Sequence, residues 1–214
     1  MWGQGGEPLK QLYMGFNDLG PVGAAVLAPV LVALPQLQSL EVQNNDLGPE
    51  GLAALAPALS SLKALKQLEL GGNMLGPAGA AALAPVLVAL PQLQSLNVCS
   101  NDLGPEGVST LGPALTALWH LDLASNNLGL DGAMNLAPHL AKCTHLTSLD
   151  MYSNNLGISG GTALTMALQS LPRLKSLRLC GNSLGQAGAQ PLDLAVSILR
   201  ATIARVLPGV EVTY

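Results

Sequence analysis

Asparagine recurs at positions 17, 45, 73, 101, 126, 154 and 182 of this 214-residue chain, at spacings of 28, 28, 28, 25, 28 and 28 residues. Each asparagine sits in one frame, L-x-x-L-x-φ-x-x-N-x-L-G-x-x-G, where φ is apolar. The first leucine of the frame is Leu9, Leu37, Leu65, Leu93, Leu118, Leu146 and Leu174, and the second is Leu12, Leu40, Leu68, Leu96, Leu121, Leu149 and Leu177. A period of this length constrains the fold more than any local propensity. It marks an array of small units, none of which can bury its own apolar face, each leaning on the next.

The pattern changes period inside every unit. The L-x-φ step has period two, the mark of a short strand with one buried face. Beyond the asparagine the apolar residues fall at helical spacing, as in Leu52, Leu55, Leu59 and Leu62. Each unit is therefore strand, turn, helix. Asparagine offers an acceptor and two donors, which suits a buried turn whose backbone has no strand partner. Glycine follows at three and six residues, for example Gly48 and Gly51, where a Cβ is expected to crowd the bend or the helix start. Proline at the helix entry (Pro21, Pro49, Pro77, Pro105) removes an N–H that would have no partner anyway.

This frame resembles the leucine-rich-repeat family, and its 28-residue period and L-G-x-x-G helix half are similar to the ribonuclease-inhibitor-like class. The resemblance covers about residues 9–195. It implies an α/β solenoid, a curved horseshoe with parallel strands on the concave face and helices on the convex face, of seven repeats plus a C-terminal cap. At about 4.8 Å per strand, the concave strip is on the order of 30 Å wide. The expected organisation is a lead at 1–8 without a clear cap, repeats over 9–195, and a capping helix and strand over 196–214. Residues 187–207 read as one longer helix. With only Met1 to Pro8 ahead of the first strand, the edge around Leu12, Met14 and Leu19 lacks an obvious cover, as expected of a chain that is a piece of something larger or that docks this edge on a partner.

Three irregularities carry further expectations. Repeat four is three residues short, so its helix should end early, with Trp119 filling the gap. A second proline at 29, 57, 85, 113 and 138 predicts kinked or broken helices. Repeats one and three are nearly the same text: Gly23–Leu40 and Gly79–Leu96 differ only at Val26 and Ala82, and Asn45–Gly51 recurs as Asn101–Gly107. A duplication of two repeats explains both identities.

The repeat also accounts for an unusual composition. Hydrophobic residues reach 49% and charged residues only 10%, with a mean hydropathy of +0.40, values that raise a membrane protein as the first suspicion. Gly20, Pro21, Gly23, Pro29 and Pro35 punctuate the longest uncharged stretch, so membrane insertion is not expected. A net charge of −4 argues against nucleic acid. Three cysteines, Cys99, Cys143 and Cys180, form no disulfide framework and no metal-ligand spacing, which points to an intracellular, reducing compartment, most simply the cytoplasm.

Candidates for chemistry are few. His120 with Asp122 or Cys99 could suggest acid–base or nucleophilic work, but no third orienting group or oxyanion motif accompanies them. Cys99 and Cys180 stand three repeats apart, too far to bridge. No catalytic residue, metal or cofactor is therefore expected, and the chain reads as non-enzymatic. The outward strand positions are more informative. The central column runs Tyr13, Glu41, Glu69, Asn97, Asp122, Asp150 and Arg178, with Tyr152 two residues beyond Asp150. A row of carboxylates gains by meeting a basic surface, and exposed tyrosines supply the rigid contacts that interfaces favour. The expected partner is a protein with a basic surface bound on this acidic, aromatic strip. The resemblance extends to the Ran GTPase-activating protein, which makes regulation of a small GTPase an alternative. A structural subunit docking by the uncharged Ala/Val-rich convex face of helices one and three is another.

Overall fold

The computed structural model describes residues 7–184, 199 and 201–213. Three-residue strands alternate with helices along the chain: β1 (Gln11–Tyr13), α1 (Gly20–Val32), β2 (Ser39–Glu41), α2 (Gly48–Ser61), β3 (Gln67–Glu69), α3 (Gly76–Ala89), β4 (Ser95–Asn97), α4 (Gly104–Leu111), β5 (His120–Asp122), α5 (Gly129–Leu140), β6 (Ser148–Asp150), α6 (Gly157–Gln169), β7 (Ser176–Arg178) and β8 (Glu211–Thr213). All eight strands form one parallel sheet in sequence order. Register never slips: Leu12, Leu40, Leu68, Leu96, Leu121, Leu149 and Leu177 stand in one inward column that ends on Val212. Strands stack about 4.8 Å apart and helices need about 8–10 Å, so the sheet takes the inner, concave side and the helices the outer one.

The repeat asparagines hold the stack together through their side chains. Asn73 is fully buried. Its Oδ1 accepts the N–H groups of Asn45 and Leu47 in the preceding repeat (3.0 and 3.4 Å). Its Nδ2 donates to the Val42 carbonyl of that repeat and to Leu70 of its own (2.9 Å each). Asn45, Asn101, Asn126, Asn154 and Asn182 repeat the arrangement. Even the backbone carbonyl of each asparagine is used, since Asn73 O accepts from Gly48 N, the first residue of the helix one repeat back (2.9 Å). These helices begin on a leucine without a side-chain cap, and this bond does the capping.

The two repeat glycines serve different physical needs, which corrects the expectation of crowding at both. Gly20, Gly76, Gly104, Gly129 and Gly157 have φ near +60°, and an added Cβ there would meet nothing within 4 Å. Their requirement is conformational. At Gly79 a Cβ would lie 2.6 Å from Leu75 Cβ, so crowding rules the second position. Gly76→Ala should cost about 1 kcal/mol from left-handed strain, and Gly79→Ala about 2 kcal/mol from overpacking. Gly76→Asn should recover much of the loss because asparagine tolerates positive φ, while Gly79→Asn should deepen it. Urea midpoints of the four variants check this.

The prolines do less damage than expected. Helices α1, α2, α3 and α5 continue through Pro29, Pro57, Pro85 and Pro138. In each case the residue four earlier, whose carbonyl loses its donor, is exposed (Ala25, Ala53, Ala81, Met134), where water can serve that carbonyl instead. Only at Pro113 does the helix change: α4 stops at Leu111 and Gly112–Ala114 form a 3-10 turn. Trp119 does not fill the space left by this short repeat, being 43% exposed. The imidazole of His139 in α5 packs on Gly112, where a Cβ would collide with it.

The expected helix over 187–207 and the boundary at 195/196 fall largely outside the described residues. Residues 201–206 are helical, and Gly209, at φ +82°, turns the chain into β8. Among the described residues, no helix is long and apolar enough to cross a membrane.

Candidate functional site

The pleat of the sheet sends every second strand residue outward. Tyr13, Glu41, Glu69, Asn97, Asp122, Asp150 and Arg178 accordingly stand in one continuous outward column, each the register partner of the next. All the residues singled out from the sequence on this face therefore belong to one surface, with Tyr152 beside its far end. Phe16 lies in the turn beyond β1, at φ 60°, with 74% of its surface exposed.

The column is not a uniform row of free carboxylates. Asp122 Oδ1 accepts the Ala124 N–H and Asp150 Oδ1 the Tyr152 N–H (2.8 Å each). Asn97 makes the same bond to Cys99 N (2.9 Å), so this local cap needs an amide or carboxylate oxygen and no charge. At the far end Arg178 closes a clasp, with its Nη1 3.1 Å from Asp150 Oδ2 and its guanidinium 4.6 Å from the centre of the Tyr152 ring. Asp150 is thus partly neutralised already. Glu69 Oε1 accepts only from neutral Gln67 Nε2 (3.1 Å). The uncompensated negative charge concentrates on Glu41, Glu69 and Asp122. The side-chain pattern showed the column; this internal bonding carries no sequence signal beyond the neutral Asn97 in the same place.

Around Glu69, Asp122 and Asp150 the face dips into a depression of about 240 Å³, also lined by Asn97, His120, Ser95 and Ser148. Burial, then the neighbouring carboxylates of Asp150 and Glu69, push the Asp122 carboxyl up from its ordinary value, against the lowering by its Ala124 bond. Folding therefore favours the protonated form, and ionised Asp122 costs stability at neutral pH. Asp122→Asn keeps the Ala124 bond and removes the charge. It should raise Tm at pH 7 by about 1–2 °C, with the difference from the parent vanishing as pH falls below 3.8, the ordinary carboxylate value. Thermal melts across pH check both parts.

Two of the three thiols are held above the ordinary cysteine value. Burial and then the Asp122 charge push the Cys99 thiol up, which disfavours the thiolate a nucleophile needs. Cys143 is fully buried and burial lifts its thiol to about 11. Among the described residues, no group of three or more His, Cys, Asp or Glu side chains is placed to hold a metal.

The convex side differs sharply in chemistry. Helices α1 and α3 carry no charged residue, and Val22, Val32 and Val88 lie exposed on them. Ala82 and Ala89, on the same helix as Val88, are half-buried.

Comparison with known proteins agrees with this architecture. The Leucine Rich repeat family matches at residues 7–28, 34–56, 62–84, 90–112, 116–137 and 142–164. No curated protein matches the sequence. Among solved structures, the leucine-rich repeat-containing protein LegL7 from Legionella pneumophila superposes with a TM-score of 0.58 at 20% identity, over 95% of this chain and 82% of that one. A structure of Leiomodin-1 Actin-Binding Site 2 aligns at 17% identity and TM-score 0.44, over 85% of this chain and 88% of that one. With the repeat frame, the aligned strand ladder and a family match over more than half of its length, the chain belongs to the leucine-rich-repeat family.

Proposed function

We propose that this protein is a non-enzymatic binding module whose concave strand face takes a basic segment of a protein partner. The observation that carries this reading is the depression around Asp122, where Glu69, Asp122 and Asp150 converge and Arg178 offsets only the last of them. A cationic side chain seated there would relieve a repulsion the fold leaves in place, so binding and charge compensation coincide. Tyr13 at one end of the column and Tyr152 at the other add exposed rigid contact area. Attraction of this kind is screened by salt. The partner captured on immobilised protein should therefore elute between low and high ionic strength, and retention unaffected by salt would overturn the reading. A second reading, docking by the convex face as a structural subunit, is favoured by Val22 and Val88, which are 78% and 76% exposed. Salt-insensitive capture lost on Val88→Asp would support it.

A further inference from the structure

Met74, in the turn of the third repeat, stands in a backbone conformation that suits its side chain poorly. It follows the buried Asn73 at φ 53° and is 60% exposed, so no packing holds it there. Every repeat keeps this position at positive φ, but the others fill it with Asp18, Asp46, Asp102, Asn127, Asn155 or Ser183, short polar residues. Asparagine and aspartate tolerate the left-handed region, and a long apolar side chain does so at a cost. Outliers of this kind persist where function uses them.

The duplicated text points to the same spot. Leu9–Leu40 recurs over Leu65–Leu96 with six exchanges. Met14/Leu70, Val22/Ala78 and Val26/Ala82 swap one apolar residue for another. The three that change chemistry, Tyr13/Glu69, Phe16/Gly72 and Asp18/Met74, lie together on the outward strand and its turn. Exposed helix residues such as Ala25/Ala81 and Val32/Val88 are unchanged. Drift alone would not have spared the open helices.

A path joins this turn to the concave face. Between Glu69 and Met74 the third repeat has no outward side chain of its own, since Leu70 and Asn73 are buried and Gly71 and Gly72 carry only backbone. Neighbouring repeats lean over that backbone: Cys99 Sγ lies 2.7 Å from where a Cβ on Gly71 would stand, and Asn44 Oδ1 occupies the Cβ place of Gly72. The surface is therefore low from Glu69, which lines the acidic depression, to Met74. Glycine at such a place admits the close approach of another chain. On either side of Met74, at the same turn position of repeats two and four, stand the exposed Asp46 and Asp102, with no cationic partner among the described residues.

We propose that the basic partner segment seated in the depression continues along this path and lays an aliphatic side chain on Met74, with a further cation reaching Asp46 or Asp102. The inference rests on the concave reading and adds to it the kind of sequence the partner presents: a cation, a short spacer, a large aliphatic residue and a second cation. Carboxylates on both sides of Met74 favour that flanking charge, and the flexible, polarisable thioether adapts to an aliphatic surface.

The probes are two fluorescein-labelled peptides, each Arg-Lys followed by a spacer of about four glycines and then by Leu-Lys in one and Ser-Lys in the other. Titrated with the full chain at low salt, the leucine peptide should bind about tenfold more tightly than the serine peptide, the effect of covering one aliphatic side chain. Met74→Asn, the residue type of repeats five and six, should erase that ratio by weakening the leucine peptide alone. It should also raise Tm by about 2 °C, because asparagine suits the backbone there, so that unfolding cannot account for the lost binding. The triple variant Glu69→Gln, Asp122→Asn, Asp150→Asn should weaken both peptides alike and keep the ratio. A ratio near one in the parent, or one that survives Met74→Asn, overturns the inference and leaves the concave reading standing. Peptides that bind the triple variant as tightly as the parent overturn the concave reading, and the shared segment with it. Failure of both peptides to bind the parent below about 1 mM overturns both.

Discussion

Asn101→Ala should lower stability by about 4 kcal/mol and Tm by about 10 °C. The side chain is fully buried, and its Oδ1 accepts from Asn73 N and Leu75 N (2.9 and 3.4 Å). Removing it orphans both amides in a place water does not reach. The carbonyls that its Nδ2 serves are less exposed to loss: Leu70 O keeps Asn73 Nδ2, Val98 O keeps Asn126 Nδ2 and Cys99 O keeps Gly72 N. Two stranded donors at about 1–3 kcal/mol each, plus the lost bonds, give the expected size. Asn17→Ala is the internal control. Asn17 donates to Met14 O and Gly15 O from an exposed site, so its loss should cost about 1 kcal/mol or less. Urea melts of the two variants measure the contrast, and equal losses would contradict the coupling of each repeat to its neighbour through these side chains.

The contrast also shows what was legible in the sequence. The fixed leucines and asparagines gave away the solenoid, because a 28-residue period leaves one way to bury leucines that no single repeat can cover. The outward column could be placed residue by residue, since strand pleating admits no other assignment. What the sequence hid was local compensation. A proline read alone predicts a kinked or broken helix, and only the exposure of Ala25 and Ala53, four residues before Pro29 and Pro57, explains why these helices run on unbroken. The same holds for His139, whose packing on Gly112 of the preceding repeat has no signal in the repeat frame. On the concave face the pattern gave four acids in a column but not their bonding, and the Arg178 clasp on Asp150 and Tyr152 became visible only with side chains in place.

That bonding decides how the proposed site should be tested. Reversing Asp122 or Asp150 to lysine would remove the oxygens that cap Ala124 N and Tyr152 N, and would mix a structural loss with a functional one. The triple variant Glu69→Gln, Asp122→Asn, Asp150→Asn keeps an acceptor at every position, as Asn97 does naturally. With about 1 kcal/mol for each neutralised contact, affinity for the partner should fall about 100-fold. Tm should hold or rise, because the Asp122 carboxyl is held above its ordinary value and its charge opposes folding at neutral pH. A variant that is more stable yet binds less would separate a surface kept for recognition from one kept for solubility, since a solvated face would lose neither affinity nor stability.

Carboxyl footprinting of the protein, alone and saturated with its captured partner, tests the concave assignment most directly. The assignment predicts that Glu41, Glu69 and Asp122 lose most of their labelling in the complex, while Glu50, Glu106 and Asp131 on the helical side keep theirs. Unchanged labelling of Glu69 and Asp122, with protection at Glu50, Glu106 and Asp131 instead, would contradict it and move the binding surface to the helices.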